Sequence, residues 1–179
     1  MSKPEGIPDK TYRFLGRSGL QVSTIALGGW LTYGGHVDKD LCWGESEIVM
    51  GQAIKEFGWK RNDLANQKLA KGHPQIYWGG TFGDNPVNNK GLFRKHIVEG
   101  TKFALKRLDL EYVDLIYAHR PGRQTPMEEI VRSFNHVIDQ GLAFYWGTSE
   151  WTAAEIALAW RVADRLALIG PVMEQPEPG

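Results

Sequence analysis

The sequence predicts an α/β fold whose strands are parallel. From residue 112 to residue 174, buried strands alternate with capped helices, and the connecting loops are short. A strand that follows another through a helix and short loops runs parallel to it, with a right-handed crossover. The strands of this repeat are predicted at 112–118, 143–148 and 172–174. Ligands of such sheets bind beyond the carboxyl ends of the strands, and those ends carry His119-Arg120, Ser149-Glu150 and Gln175.

The two helices of this repeat have recognisable starts and ends. Thr125, Pro126 and Glu128 predict a capping box with proline at the first helical position, and Thr152 with Glu155 predicts a second box. Each helix then has an apolar stripe with a spacing of three and four. The stripes are Met127, Ile130, Val131, Phe134, Val137 and Ile138 in the first helix, and Ile156, Ala159, Ala163 and Leu166 in the second. We expect the helices to end at Gly141 and at Gly170-Pro171, respectively.

The preceding part of the chain contains a hairpin and two further helices. Strand signals at 12–15 and 20–23 flank a glycine-bearing turn, which predicts a β-hairpin, and residues 24–27 begin a buried strand. Residues 61–74 are polar and weakly helical, where an alternating chain would next need a strand, and only 76–78 resembles one. The first helix is predicted at Ser46–Phe57, with Met50, Ala53, Ile54 and Phe57 inward and Gly58 as its stop. The second is predicted to bury Phe93, Ile97, Ala104, Leu105 and Leu108.

Composition narrows the classes of function. The 179 residues, 42% hydrophobic and 23% charged, predict a single domain, or part of one, over 1–179. Lys plus Arg equals Asp plus Glu at 21 each, so neither a nucleic-acid partner nor a membrane-surface partner is expected. No apolar run approaches membrane-spanning length, so membrane insertion is not expected either. The lone Cys42 and the polar start MSKPEGIPDK favour a cytoplasmic location. The five histidines have no metal-ligand spacing, so no metal site is predicted.

Several stretches together resemble the aldo-keto reductases, and most closely the branch related to potassium-channel β subunits. The resemblance covers nearly the whole chain except 38–43 and 65–75. It implies a (β/α)8 (TIM) barrel, bound NADP(H), and reduction of aldehydes or ketones by hydride transfer. It also permits a non-catalytic binding or regulatory protein with a channel-like partner or a homo-oligomer. The stretches are RFLGRSGLQVS, LGGW, SEIVMGQAIKEFGWKRNDL, IYWGG, GLFRKHIVEGTKFALKRLDLEYVDLIYAHRP, TPMEEIVRSF, YWGTSEW and IGPVMEQP.

The resemblance also implies roles for residues whose positions match. His119 resembles the histidine that lies beside the reacting carbonyl oxygen and assists its protonation. Ser149 and Gln175 resemble the pair that hydrogen-bonds the nicotinamide carboxamide, and Trp30 resembles an aromatic residue at the mouth of the cofactor and substrate site. Outside the motif, His119 would be interpreted as a partly buried, hydrogen-bonded histidine. Arg120 is as readily interpreted as a salt-bridge partner as a ligand contact. Glu150 differs from the family pattern and is interpreted as a solvated acid in a loop.

Other family positions do not match. Relatives place a helix, a strand and a catalytic aspartate and tyrosine where this chain has only DKDLCW at 38–43, and a parallel crossover needs at least about a dozen residues. Gln75 stands at the place of the family's lysine. The chain ends at Gly179, whereas a complete barrel typically needs about 250 residues. We therefore expect a partial barrel without its second and last two β/α units. It would bind NADP(H) weakly or not at all and would be inactive as an isolated chain.

Overall fold

The computed structural model describes residues 12–23, 45–58, 67–68, 91–122 and 124–176, and these form a mixed α/β fold. The predicted α/β class is therefore confirmed. The described part of the chain does not close into a barrel. The elements in chain order are β1 (Tyr12–Phe14), β2 (Gln21–Ser23), α1 (Glu45–Glu56), β3 (Gln67–Lys68), α2 (Arg94–Leu108), β4 (Val113–His119), α3 (Met127–Asp139), β5 (Ala143–Ser149), α4 (Ala153–Arg165) and β6 (Glu174–Gln175).

The predicted hairpin is confirmed. β1 and β2 pair antiparallel, with Tyr12 opposite Ser23 and Phe14 opposite Gln21. The turn is closed by a hydrogen bond from the Leu15 amide to the Leu20 carbonyl oxygen at 2.8 Å. Gly16 in this turn has a φ of +52°, and a Cβ there would lie 2.1 Å from the carbonyl oxygen of Val172. Glycine is thus required where the hairpin contacts the segment that leads into β6.

Four strands form a parallel sheet in the order β3-β4-β5-β6. The predicted parallel arrangement of the strands at 112–118, 143–148 and 172–174 is confirmed, although β6 begins two residues later than expected. β4 has almost no exposed apolar surface, as expected for a strand covered on both faces. On one face α3 packs against β5, where the Phe134 and Trp146 rings stack with centroids 4.8 Å apart.

The apolar stripe of α3 is confirmed, but the capping box predicted at its start is wrong. Pro126 is the N-cap residue and no side chain caps the helix. The Glu128 carboxylate instead accepts hydrogen bonds from Arg132 at 3.0 Å and from Arg165 of α4 at 2.6 Å. These bonds hold the carboxylate on the outside of the helix pair, so it does not turn back to its own N-terminus. The hydrogen bond from Arg132, aided by the charge of Arg165, lowers the pKa of Glu128.

The capping box of α4 is confirmed. The Glu155 amide donates to Thr152 Oγ1 at 3.3 Å, and the Thr152 amide donates to Glu155 Oε2 at 2.8 Å. The expected end at Gly170-Pro171 is wrong, because α4 ends at Arg165. Ala167 adopts a φ of +52° and the Leu168 amide returns to the Ala163 carbonyl oxygen at 2.9 Å, so an alanine ends the helix in the position that glycine usually takes.

Two expectations for the earlier segments are also wrong. Phe57 was predicted to be inward but is 64% exposed, because α1 ends at Glu56 and Gly58 turns the chain with a φ of +59°. Residues 67–68, predicted to be weakly helical, form β3 because they pair with Leu115 and Ile116 at the edge of β4. The segments 24–27, 38–43 and 76–78, together with Trp30 and Gln75, lie outside the described residues. None of the described helices is long and apolar enough to cross a membrane.

Candidate functional site

The carboxyl ends of three neighbouring strands bring the predicted site residues together. His119 at the end of β4 is the register partner of Ser149 at the end of β5, and Ser149 is the partner of Gln175 in β6. Paired positions on adjacent strands lie about 4.8 Å apart. The three residues therefore form one continuous row across the sheet, as the sequence predicted. We call His119, Ser149 and Gln175 the strand-end row.

The strand-end row lies on the face of the sheet opposite α3. Side chains alternate between the two faces along a strand, and register partners on parallel neighbours share a face. Trp146 points toward α3, where it stacks on Phe134. Ser149, three residues later, must point to the other face, together with His119 and Gln175. The row thus has a common orientation, and its members do not point separately into solvent.

Ser149 already has a structural function within this row. Its side chain is 0% exposed, and its Oγ donates a hydrogen bond to the Gln175 carbonyl oxygen at 3.0 Å. The same carbonyl oxygen accepts from the Glu150 amide at 3.3 Å. These two bonds join the ends of β5 and β6. A ligand that binds here therefore meets a pair of strand ends that are fixed to each other.

Two left-handed residues follow the row directly. Arg120 has a φ of +51° and Glu150 a φ of +64°, a conformation that costs a residue other than glycine about 1–2 kcal/mol. The Arg120 amide donates to the Ser149 carbonyl oxygen at 2.8 Å, so the ladder continues through the turn. Both strands bend at the same level, immediately beyond the row. The sequence has no signal for these two turns, because neither position carries glycine or asparagine.

A buried tyrosine lies beneath the row on the same face. Tyr117 is two residues before His119 and its hydroxyl donates to the Met173 sulfur at 2.5 Å. Burial is the main cause that raises the pKa of Tyr117, and the charge of the Glu174 carboxylate raises it further. Gly147, its register partner, would place a Cβ only 2.8 Å from the Met173 carbonyl oxygen. The layer of residues beneath the strand-end row is therefore close-packed and contains the neutral phenol of Tyr117. No motif in the sequence indicated this tyrosine.

The row has groups that fit a carboxamide. Among the described residues no hydrogen bond engages the Gln175 side-chain amide, so that amide can donate to a carboxamide oxygen and accept from its nitrogen. The Ser149 hydroxyl has used its proton but keeps acceptor capacity. Because Ser149 is fully buried and Gln175 is half-buried, a ligand would contact Gln175 first. Trp30, the fourth predicted site residue, cannot be placed in the row because it lies outside the described residues.

Comparison with known proteins agrees with the resemblance stated from the sequence. The family model described as "Aldo/keto reductase family" matches residues 37–177. Proteins named "Probable voltage-gated potassium channel subunit beta" from Arabidopsis thaliana and from Oryza sativa subsp. japonica are 49% and 47% identical, each over 93% of this chain. A "Putative voltage-gated potassium channel subunit beta" from Schizosaccharomyces pombe (strain 972 / ATCC 24843) is 45% identical over 98% of it.

This chain corresponds to only part of those relatives. It spans 54% of the length of each of the three. The family match nevertheless extends over most of the chain and includes all three members of the strand-end row. The chain belongs to the aldo/keto reductase family.

Proposed function

We propose that the strand-end row holds the nicotinamide end of NADP(H), in a partial (β/α)8 barrel of the aldo/keto reductase type. The observation that carries the proposal is the consecutive register of His119, Ser149 and Gln175 on one sheet face. In this proposal Gln175 and Ser149 bind the carboxamide, Trp30 lies at the mouth of the site, and His119 lies beside the carbonyl oxygen of an aldehyde or ketone.

When bound, NADPH supplies the hydride that reduces a carbonyl carbon. The residues of this chain supply orientation. Gln175 would fix the plane of the carboxamide, and the Ser149 bond to the Gln175 main chain keeps the two strand ends from moving apart. His119 would donate a hydrogen bond to the carbonyl oxygen as negative charge develops there. Each of these contacts originates from a strand end and not from a long loop, which favours precise positioning.

We also propose that the isolated chain lacks the complete acid machinery of the family. DKDLCW occupies the place of the aspartate and tyrosine, and Gln75 that of the lysine. A neutral amide cannot lower the pKa of a neighbouring phenol as a cation does. The alignment with the Arabidopsis thaliana relative extends over 188 positions, which is more than the 179 residues of the whole chain. That relative thus has residues with no counterpart here, which supports a missing internal unit.

Binding of NADPH tests the proposed site. We expect weak binding by the 179-residue chain, detected by a change in nicotinamide fluorescence. Gln175→Ala should weaken binding about 3- to 10-fold, because a hydrogen bond contributes about 0.5–1.5 kcal/mol. Gln140→Ala is the matched control, since Gln140 is an exposed residue at the end of α3 and should bind like the parent chain. No detectable binding, or equal binding by Gln175→Ala, would contradict the proposal.

A second candidate function is binding to a voltage-gated potassium channel without catalysis. The three relatives are all named as subunits of such channels, and that shared name favours this alternative. Under this candidate a surface of the chain, alone or as a homo-oligomer in the cytoplasm, would contact the channel. The strand-end row would then serve the stability of the sheet and not a reaction.

A further inference from the structure

We infer that Asn135 is a positioning residue for the strand-end row: its side-chain amide holds the main chain of Ile169 and so fixes the register in which β6 joins β5. We call the two hydrogen bonds between Asn135 and the main chain of Ile169 the bracket. The Asn135 Nδ2 donates to the Ile169 carbonyl oxygen at 2.9 Å, and the Ile169 amide donates to Asn135 Oδ1 at 2.8 Å. Trp146 Nε1 donates to the same carbonyl oxygen at 2.8 Å. Both main-chain polar groups of Ile169 are therefore held from outside its own segment.

The bracket acts on the main chain and not on the side chain. Ile169 is 41% exposed, so apolar burial contributes little to its placement. Asn135 is 4% exposed, and its Nδ2 also donates to the Val131 carbonyl oxygen one turn earlier in α3 at 2.9 Å. That bond orients the amide toward Ile169. All the donors of the Asn135 amide are thus in use, and Ile169 is its only long-range partner among the described residues.

Beyond Ile169, the chain forms successive main-chain hydrogen bonds with β5 as far as the strand-end row. The Val172 amide donates to the Trp146 carbonyl oxygen at 2.9 Å, and the Thr148 amide donates to the Met173 carbonyl oxygen at 2.9 Å. The Glu150 amide then donates to the Gln175 carbonyl oxygen. Trp146 takes part twice, because its ring nitrogen holds Ile169 and its main chain holds Val172. Trp146 therefore anchors both the start of the segment 169–175, at Ile169, and its first pairing with β5, at Val172.

The register of β6 needs such an anchor. β6 consists of Glu174 and Gln175 alone, both polar and half-buried, so no apolar pattern sets which residue faces which side. A slip by one residue would move Gln175 to the opposite face, away from Ser149 and His119. Asn135 does not touch the row itself, since an extended chain from Ile169 to Gln175 covers about 20 Å. Asn135 is therefore a positioning residue, and its relevance to cofactor contact rests on the proposed function.

Amide hydrogen exchange on the 179-residue chain tests this inference without any ligand. In Asn135→Leu, which keeps the size of the side chain and removes its hydrogen bonds, the amides of Thr148, Glu150 and Val172 should exchange at least about tenfold faster than in the parent. The Arg120 amide, which reports on the end of the β4–β5 pair, should change much less. Val137→Ala is the matched control, because it weakens the buried face of the same helix and keeps the Asn135 side chain that bonds Ile169. That variant should not affect the three amides selectively.

Asn135→Asp provides a second variant if the leucine variant does not fold. It keeps the acceptor for the Ile169 amide but sets a carboxylate oxygen against the Ile169 carbonyl oxygen, so acceleration at the same three amides is expected. Uniform acceleration in either variant, or none, would overturn the inference. NADPH affinity is a separate measurement: if the parent binds, the Asn135 variants should bind at least about threefold more weakly than Val137→Ala. If the parent does not bind, the proposed function fails, while the exchange data still decide whether Asn135 sets the register.

Discussion

Ser149 and Gln175, at the ends of neighbouring strands, differ in whether their side chains already form a hydrogen bond. The Ser149 hydroxyl holds the main chain of Gln175, whereas the Gln175 side-chain amide is engaged by no described residue. Serine can do this in a closed space because its hydroxyl reorients to suit a neighbour. Glutamine can serve a carboxamide because it offers a donor and an acceptor side by side. The two residues are therefore not equivalent, and replacing Ser149 is expected to disturb β6 as well as any cofactor contact.

Tyr117 gives a prediction about alkaline pH. Its pKa is raised, by burial and then by Glu174, so the phenol stays neutral in the folded chain above the ordinary tyrosine value of about 10. The stability contributed by the neutral form is fully present below about pH 10 and is lost as the pH rises further. We expect the wild-type chain to lose more stability than Tyr117→Phe between about pH 9.5 and 11.5, measured by urea unfolding.

Absorbance at the phenolate band supplies the control for this prediction. The chain contains six tyrosines, so the phenolate absorbance of the parent chain is titrated beside that of Tyr117→Phe. Tyr117→Phe should leave the amplitude of that titration unchanged as long as the chain stays folded. A lower amplitude in the variant near pH 10 would mean that Tyr117 ionises in the folded state, contrary to its burial.

Helix ends provide a matched pair of substitutions. In α3 the Leu142 amide returns to the Val137 carbonyl oxygen and Gly141 has a φ of +70°. In α4 the Leu168 amide returns to the Ala163 carbonyl oxygen and Ala167 has a φ of +52°. The same hydrogen-bonded motif thus ends both helices, once with glycine and once with alanine.

Exchanging these residues should change stability in opposite directions. Ala167→Gly should raise the free energy of unfolding by about 0.5–1 kcal/mol, because relief of the left-handed strain exceeds the added entropy of the unfolded chain. Gly141→Ala should lower it by about 1 kcal/mol, and no described atom lies within 4 Å of the added Cβ, so the loss is conformational. Chemical denaturation checks both. Effects of the same sign in the two variants would contradict the motif.

These elements also show what local sequence can and cannot predict. The Thr152 box was predictable because both of its bonds lie within four residues. The Thr125 box is absent, because Glu128 instead bonds Arg132 of its own helix and Arg165 of another helix. The existence of β3 depends on the edge of β4 and has no local signal in its own two residues. Tertiary partners therefore decided the outcome wherever a short polar segment had more than one way to satisfy its hydrogen bonds.

For the chain as a whole, the candidate site was more predictable than its surroundings. Parallel strands necessarily place their carboxyl ends on one rim, so the order of elements alone brought His119, Ser149 and Gln175 together. The left-handed turns at Arg120 and Glu150 and the bracket at Ile169 could not be predicted in this way, because they depend on contacts between distant segments.

Turnover and channel-binding assays together test the two candidate functions of the chain. The isolated chain is expected to show no steady oxidation of NADPH with an activated aldehyde, because under the proposed assignment it lacks the family's tyrosine acid, aspartate and lysine. General acid catalysis alone typically supplies about 10²- to 10⁴-fold, or about 3–5 kcal/mol, and imperfect cofactor positioning adds to the deficit. An active aldo-keto reductase in the same assay is the positive control. Steady oxidation that His119→Ala abolishes would show that the chain is an enzyme on its own.

Co-purification with a voltage-gated potassium channel tests the second candidate function. If turnover is absent and the chain co-purifies with the channel, Gln175→Ala is compared with the parent chain. Equal co-purification of this variant favours the binding function, because the strand-end row would then be dispensable for the only activity observed.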